Sequence, residues 1–285
     1  MTSENPVRGD HPPAIYAHSG NASEQRYLEK RSAAVEAAFL LPYLKPGVDV
    51  LDCGCGPGTI TVGLAPAVSP GRVTGIDMEA AQIERARQLA VERDVTNAQF
   101  KVGSIYEIPF SDTSFEVVFA NAVFEHLREP LEALAEIHRV LKPGGMVALR
   151  DADLDVLAIG GPNEALLKRS YTIMAEQWQQ VSGNPYIGRH LRSLLHQAGY
   201  VNCEATSSAE HFGTAETTRW FGEFMALYFE DPHVAARIVE RGLTSAQELD
   251  RIKAAWWAWG ESPASFAAVL WCEAVGWKKS SIVST

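Results

Sequence analysis

Positive charge, cysteine and long apolar runs are scarce in this chain. Its 25 Lys and Arg are outnumbered by 35 Asp and Glu, a formal net charge of −10. That balance repels a phosphate backbone, because nucleic-acid binding rests on clustered Lys and Arg that neutralise phosphates, so no nucleic-acid partner is expected. Of the four cysteines, Cys53 and Cys55 stand too close for an ordinary disulfide, and no second Cys-x-Cys or His pair is placed to complete a zinc site. Reduced thiols and no metal are expected. No apolar run reaches the ~18 residues of a membrane span. The opening MTSENPVRGDHPPA lacks the apolar core of a signal peptide. Together these point to a cytoplasmic protein without a membrane span.

What is present is an ordinary globular composition, 46% hydrophobic and 21% charged over 285 residues. Such a length buries one substantial core and still carries an appendage, which fits one α/β domain with a smaller cap. Apolar positions at Tyr27, Leu28, Ala34, Val35, Ala38 and Leu41 recur at helical spacing, so one helix packed against the core is expected over Glu24 to Leu44. After Lys45-Pro46-Gly47 the patterns alternate. Strands are expected over Val48–Asp52, Arg72–Asp77, Ala98–Val102, Glu116–Ala120 and Met146–Arg150, with helices over Thr59–Val68, Glu79–Arg93 and Leu131–Leu141 between them. Repeated βαβ units imply a parallel sheet, doubly wound by the usual crossover. Beyond it come a helix over Gly188–Ala198, a sixth strand over Tyr200–Ser207, a helical insertion over Thr214–Glu261 and a β-rich stretch over Ser265–Val275 that ends at Gly276. The resulting division is an N-terminal segment and lid helix over 1–45, a Rossmann-like core over 46–213, a cap over 214–262 and a final strand and tail over 263–285.

The chemistry is concentrated in LDCGCGPGTITVGLA, Leu51 to Ala65, where Asp52 ends a strand and Gly54, Gly56 and Gly58 precede a helix. Glycine lets the backbone turn sharply and approach a ligand with no Cβ in the way, and free amides at a helix start favour an anionic group. By itself such a turn is only a tight connection. The next strand, however, ends in Gly75-Ile76-Asp77, an acidic residue roughly 20 positions on, where it can accept both hydroxyls of an adenosine ribose. This spacing implies an adenosine-containing ligand and leaves NAD and S-adenosylmethionine equally open.

The runs VDVLDCGCGPGTIT, GRVTGIDMEAAQIERARQLA, FKVGSIYEIPFSDTSFEVVFANAVFEHL and LAEIHRVLKPGGMVAL, in that order, resemble the class I S-adenosylmethionine-dependent methyltransferases of the ubiquinone/menaquinone-biosynthesis type. The likeness spans about Val48 to Arg150. It implies a Rossmann-like, mostly parallel seven-stranded sheet with an antiparallel last strand, and S-adenosylmethionine as cofactor. It further implies a cofactor set of Tyr27, Asp52, Gly54, Cys55, Gly56, Thr59, Asp77, Met78, Gln82, Gly103, Ser104, Ile105, Asn121 and Ala122. In that set the glycine loop holds the methionine part, Asp77 the ribose and Met78 a face of adenine. Many relatives have Asp where this chain has Ser104, and NAVF at Asn121 departs from the Asn-Pro-Pro-Tyr type found in many base-amino methylating enzymes.

In an open α/β sheet ligands bind outside the carboxyl ends of the strands, which puts Asn121, Glu125, His126, Asp151 and Asp153 on the useful edge. His126 either abstracts an acceptor proton, its unperturbed pKa lying near ~6.5, or walls the cofactor pocket. Asp151 either orients or deprotonates the acceptor, or solvates the loop after the fifth strand. Tyr186 and Arg189 stand at a helix start, where Arg189 clamps an acidic substrate or makes a surface ion pair. Tyr16, His18 and Tyr27 belong to the segment that covers the cofactor in relatives. Trp256, Trp257, Trp259, Trp271 and Trp277 crowd the C-terminal part with Phe221, Phe224, Phe229 and Phe266. Most are core, with a minority left to line an apolar acceptor pocket. The reading is methyl transfer to a small, largely apolar molecule, with His126 and Asp151 as catalytic candidates and Tyr16, Tyr186 and Arg189 toward the substrate. Its rivals are an NAD-dependent oxidoreductase and a protein that binds S-adenosylmethionine without methylating.

Overall fold

The computed structural model describes residues 22–181 and 183–280. The apolar run after Lys45-Pro46-Gly47 becomes β1 (Val50–Cys53), buried on both faces as a central parallel strand must be. It lies between β2 (Val73–Asp77) and β4 (Phe115–Asn121), parallel to both. The seven-stranded sheet runs β3-β2-β1-β4-β5-β7-β6, with β3 at Ala98–Val102, β5 at Leu141–Gly160, β6 at Val201–Phe212 and β7 at Phe266–Trp277. β7 is antiparallel to both β5 and β6. Chain order therefore reverses beside β1, and the ends of β1 and β4 flank the crevice where such sheets bind ligands. The Rossmann-like, doubly wound expectation is borne out.

Helices α3 (Thr59–Val68), α4 (Ala80–Glu92), α5 (Pro130–Val140) and α7 (Leu191–Gln197) follow strands or precede them as expected. Three local expectations are corrected. The N-terminal helix breaks into α1 (Ala22–Lys30) and a single turn, α2 (Ala33–Glu36). Ser32 takes an extended backbone between them and its N–H donates to the Glu36 carboxylate, which restarts the helix. The fifth strand continues well past Arg150 because β7 supplies a partner as far as Gly160, with a register shift between Ala152 and Leu157. Asp151 thus lies within a strand, fully buried, and not in a solvated loop. The sequence reading also passed over α6 (Glu164–Val181), whose buried Leu167, Tyr171, Met174 and Trp178 recur at helical spacing.

Between β6 and β7 the chain makes α8 (Ala215–Glu230), α9 (Pro232–Glu240) and α10 (Ala246–Glu261). These pack with α6 over the extended ends of β5, β6 and β7 in one aromatic core that includes Trp256, Trp259, Tyr228 and Phe229. α8 and α10 approach at Gly222 and Gly260, where a Cβ on Gly222 would meet the Gly260 backbone and hold the two helices apart. Trp256 donates to Ser170 Oγ at 3.0 Å and Trp259 to the Gly160 carbonyl at 2.8 Å. Trp257 is half-exposed and bonds Glu230. No helix among the described residues is long and apolar enough to cross a membrane.

Candidate functional site

The loop after β1 owes its shape to left-handed backbone at Gly54, Gly56 and Gly58 (φ +73°, +51° and +79°), a region that costs a residue with a Cβ. Close packing adds to this, since a Cβ on Gly54 would meet Val123 Cγ2 at 2.5 Å and one on Gly58 would meet Ala86 Cβ at 2.7 Å. The amides of Gly54 and Cys55 donate to the Ile76 carbonyl at 2.8 and 3.0 Å, tying the loop to β2. At the end of β2, Asp77 accepts from the Gly56 N–H at 3.0 Å and the Glu79 N–H at 2.9 Å. Burial pushes the Asp77 carboxyl up, opposed by those amide bonds. Asp52 lies behind the loop and accepts from Thr61 Oγ1 at 2.6 Å. Burial pushes it up to about 7, with the Thr61 bond opposing.

From this loop a single cavity of about 710 Å³ runs past Asn121 and Ala122 at the end of β4 into a chamber under the helical layer. Its first half is lined by Gly54, Gly56, Asp77 and Gln82. The second is walled by Leu154, Tyr171, Met174, Trp178, Phe212, Phe221, Met225 and Trp271. Helix α1 roofs both halves: Gln25 accepts from Gln82 Nε2 at 3.0 Å, Arg26 pairs with Glu223 at 3.1 Å, and the Tyr27 hydroxyl donates to Glu210 at 3.1 Å. Tyr27 also stacks on Trp220, with ring centroids 5.6 Å apart.

The loop end suits S-adenosylmethionine on three observations. The side of Gly56 that a Cβ would occupy has nothing nearer than Leu28 Cδ1 at 3.9 Å, which leaves room for a ligand. Asn121 offers a buried Nδ2 with no hydrogen bond among the described residues, while its Oδ1 is held by Arg150 at 2.9 Å. Asp77 lines the outer end of the cavity, each carboxylate oxygen accepting a backbone amide and keeping a second lone pair for a ligand. Among the described residues no cluster of three or more His, Cys, Asp or Glu is placed to hold a metal.

Between the two halves lies a polar belt. His126 is buried on the cavity wall, its ring 5.5 Å from that of Trp178. Burial first and the Arg31 charge second bring it down to about 4, so the imidazole is neutral at ordinary pH. Glu125, 5% exposed, also lines the wall, and burial raises it to about 7 against the lowering charge of Arg31. Asp151 does not line the cavity. It sits behind, accepting the Glu125 N–H at 3.0 Å, and burial together with Glu125 pushes its carboxyl well above the usual range.

Of the other expected cofactor contacts, Tyr27, Gly54, Gly56, Asp77, Gln82, Asn121 and Ala122 meet at this one cavity. Cys55 is buried beneath the loop, Thr59 donates to the Leu28 carbonyl at 3.2 Å and anchors the roof, and Met78 is 37% exposed beside Asp77. Gly103 and Ser104 line a separate shallow hollow near Arg139, with Ile105 buried next to them. Tyr186 and Arg189 lie outside the cavity lining, where the guanidinium is paired with Asp153 and, at 3.0 Å, with Asp155. That occupied fork fits the ion-pair reading of Arg189. Tyr16 falls outside the described residues. The sequence reading missed Arg31, Tyr171, Trp178 and Glu210 as site residues and left Glu125 without a role. Tyr171 and Trp178 share one face of α6 and were recoverable from its periodicity, whereas Glu210 reaches the cavity only because β6 runs on past Ser207.

Residues 44–199 match the family described as a methyltransferase domain. An uncharacterized methyltransferase of Schizosaccharomyces pombe is 32% identical over 245 residues, 79% of this chain and 82% of that one. A demethylmenaquinone methyltransferase of Lactiplantibacillus plantarum is 30% identical over 199 residues, 61% of this chain and 81% of that one. The solved phosphoethanolamine N-methyltransferase 2 of Haemonchus contortus, in complex with phosphomonomethylethanolamine and S-adenosylhomocysteine, shares the fold with a TM-score of 0.53 and 18% identity. The match covers 86% of this chain and 52% of that one.

Proposed function

This chain belongs to the methyltransferase domain family and uses S-adenosylmethionine, and from that premise we propose that it methylates a small, largely apolar molecule held in the aromatic half of its cavity. The observation that carries this reading is the continuity of the cavity, in which the glycine-loop end opens directly into a chamber of aromatic and aliphatic side chains. An enclosed, mostly apolar pocket with a few polar groups is the usual design for such ligands. The relative named as a demethylmenaquinone methyltransferase bears a name of the same substrate class.

When bound, S-adenosylmethionine supplies an electrophilic methyl group on a positively charged sulfur. The loop at Gly54 and Gly56 together with Asn121 would hold its methionine part, and Asp77 its ribose. Arg150 fixes the Asn121 amide so that its donor stays turned to the cavity. The protein's remaining work is alignment and exclusion of water, which for an in-line displacement accounts for much of the acceleration. Helix α1, tied to α4 through Gln25 and to the cap through Arg26, closes the chamber over both reactants.

On this reading the expected lid segment over 1–45 acts through its described residues 22–45, with 46–213 the cofactor core, 214–262 the acceptor cap and the last strand following from 263; residues 1–21 and 281–285 lie outside the described residues. A cytoplasmic location accords with four free thiols. Mass spectrometry of reactions containing S-adenosylmethionine and a panel of apolar phenols, hydroquinones and amines tests the substrate class. S-adenosylhomocysteine formed together with a methylated panel member is the expected result. Methyl transfer to RNA or to a protein side chain, with every panel member untouched, would overturn it.

A further inference from the structure

Ala122 turns the chain out of β4 in a left-handed conformation (φ +55°), and the short helical turn Phe124–His126 then presents Glu125 to the cavity beside Asn121. The backbone there is held from two sides. The Glu125 N–H donates to Asp151 at 3.0 Å, and the Glu125 carbonyl accepts the Asn184 N–H at 2.9 Å. The side chain is buried and its carboxylate accepts from the Ala152 backbone amide and lies 3.5 Å from His126 Nε2, yet Oε2 has no hydrogen-bond partner among the described residues. Leaving a buried carboxylate oxygen unbonded is costly, so the position calls for a donor brought in by a ligand.

The surrounding charges choose between the two kinds of donor an apolar acceptor carries. Arg31 reaches the same wall from the α1–α2 junction. Arg150 and Asp151 approach from β5, Tyr171 from α6, and His126 lies alongside. Arg31 repels an ammonium and favours oxygen that is gaining negative charge. The rings of Tyr171, Trp178, Phe212 and Phe221 line the space beyond and suit a flat aromatic body.

Resting on the reading of this chamber as the acceptor site, we propose that Glu125 is the catalytic base and that the acceptor is an aromatic hydroxyl compound whose O–H points at Glu125 Oε2. The hydroxyl proton passes to Oε2, the oxygen lone pair forms the new O–CH3 bond, and the CH3–S bond breaks with its electron pair left on sulfur. The proton on Glu125 leaves to water when the product departs. Neutral His126, brought down to about 4 by burial and Arg31, is too weak a base to compete, while Glu125 at about 7 is poised for the transfer.

Equilibrium dialysis of the protein loaded with S-adenosylhomocysteine, using 1-naphthol and naphthalene as probes, tests this without turnover. As Glu125 ionises, the affinity ratio of naphthol to naphthalene should rise roughly tenfold between about pH 5.5 and about pH 8, since a charged acceptor bonds the hydroxyl more strongly. Glu125→Gln should make the ratio independent of pH, and His126→Asn should leave the rise intact. A ratio in the native protein that is flat across this range overturns the proposal, as does a rise that persists in Glu125→Gln or vanishes in His126→Asn. Should Glu125→Gln fail to hold S-adenosylhomocysteine, the native ratio and Glu125→Asp, which keeps a carboxyl and should keep the rise, decide the matter. Tight but pH-independent binding of both probes rejects Glu125 and spares the apolar chamber, whereas failure of both probes to bind rejects both.

Discussion

Two buried carboxylates bracket the glycine loop and do different work. Asp77 accepts amide hydrogens from Gly56 and Glu79 and faces the cavity. On the proposed placement of the ribose, replacing it with Ala removes acceptors for the ribose hydroxyls and also loosens the loop. Hydrogen bonds to a charged group are worth ~1.5–3 kcal/mol each, so Asp77→Ala should weaken S-adenosylmethionine and S-adenosylhomocysteine alike, by tenfold or more. Unchanged affinity by calorimetry would mean that the ribose lies elsewhere. Asp52 faces inward to Thr61, and burial raises it to about 7. An unfolded aspartate releases its proton near about pH 4, so the folded chain binds more protons than the unfolded one from there up to about 7. Stability contributed by this group is therefore lost as pH rises through that window. Asp52→Asn keeps an acceptor for the Thr61 hydroxyl and removes the titration. Melts at about pH 5 and about pH 8 should differ less in the variant than in the native protein.

At the level of elements, the aromatic wall of the cavity depends on how closely α8 and α10 approach. A Cβ on Gly222 would lie 2.7 Å from Gly260 Cα and 2.8 Å from the Trp256 carbonyl, both backbone atoms that cannot turn aside. Overpacking of this kind costs ~1–3 kcal/mol, which for a chain of this size lowers the melting temperature by roughly 3–10 °C. Because α8 also carries Phe221, Phe224 and Met225 to the cavity, Gly222→Ala should weaken naphthol binding while S-adenosylhomocysteine binds as before. Equal loss of both would place the cofactor half under the same helix contact. The break between α1 and α2 matters in the same way. It lets Arg31 turn toward Glu125 while Tyr27 engages Glu210 and Trp220, contacts that one straight helix over Glu24 to Leu44 would not provide.

For the whole molecule, cofactor binding and stability are linked, because the roof helix is bonded on one side to α4, beside the loop, and on the other to the cap. S-adenosylhomocysteine at about a hundred times its Kd should add ~2.7 kcal/mol, seen as a melting rise of roughly 5–10 °C. A rise confined to one of two separate transitions would show that the helical layer melts independently of the core. Much of this architecture was legible beforehand. Strand and helix order from β1 through α5 and the helical stretch after Thr214 follow from short apolar runs and period-3.6 patterns, and the glycine loop with Asp77 follows from spacing, since these are properties of residues near one another in the chain, while the reversal of the last strand came from the family resemblance. What tertiary structure alone decided lies in long-range pairing. The length of β5 depends on β7, more than a hundred residues downstream by its register with Val269 and Ala268, and that extension buries Asp151 and commits it to holding Glu125. Arg31, Glu125, Tyr171 and Glu210 come from four separate elements. Their convergence, and the low dielectric that sets Glu125 and His126 apart, arises only when burial removes water from all of them at once.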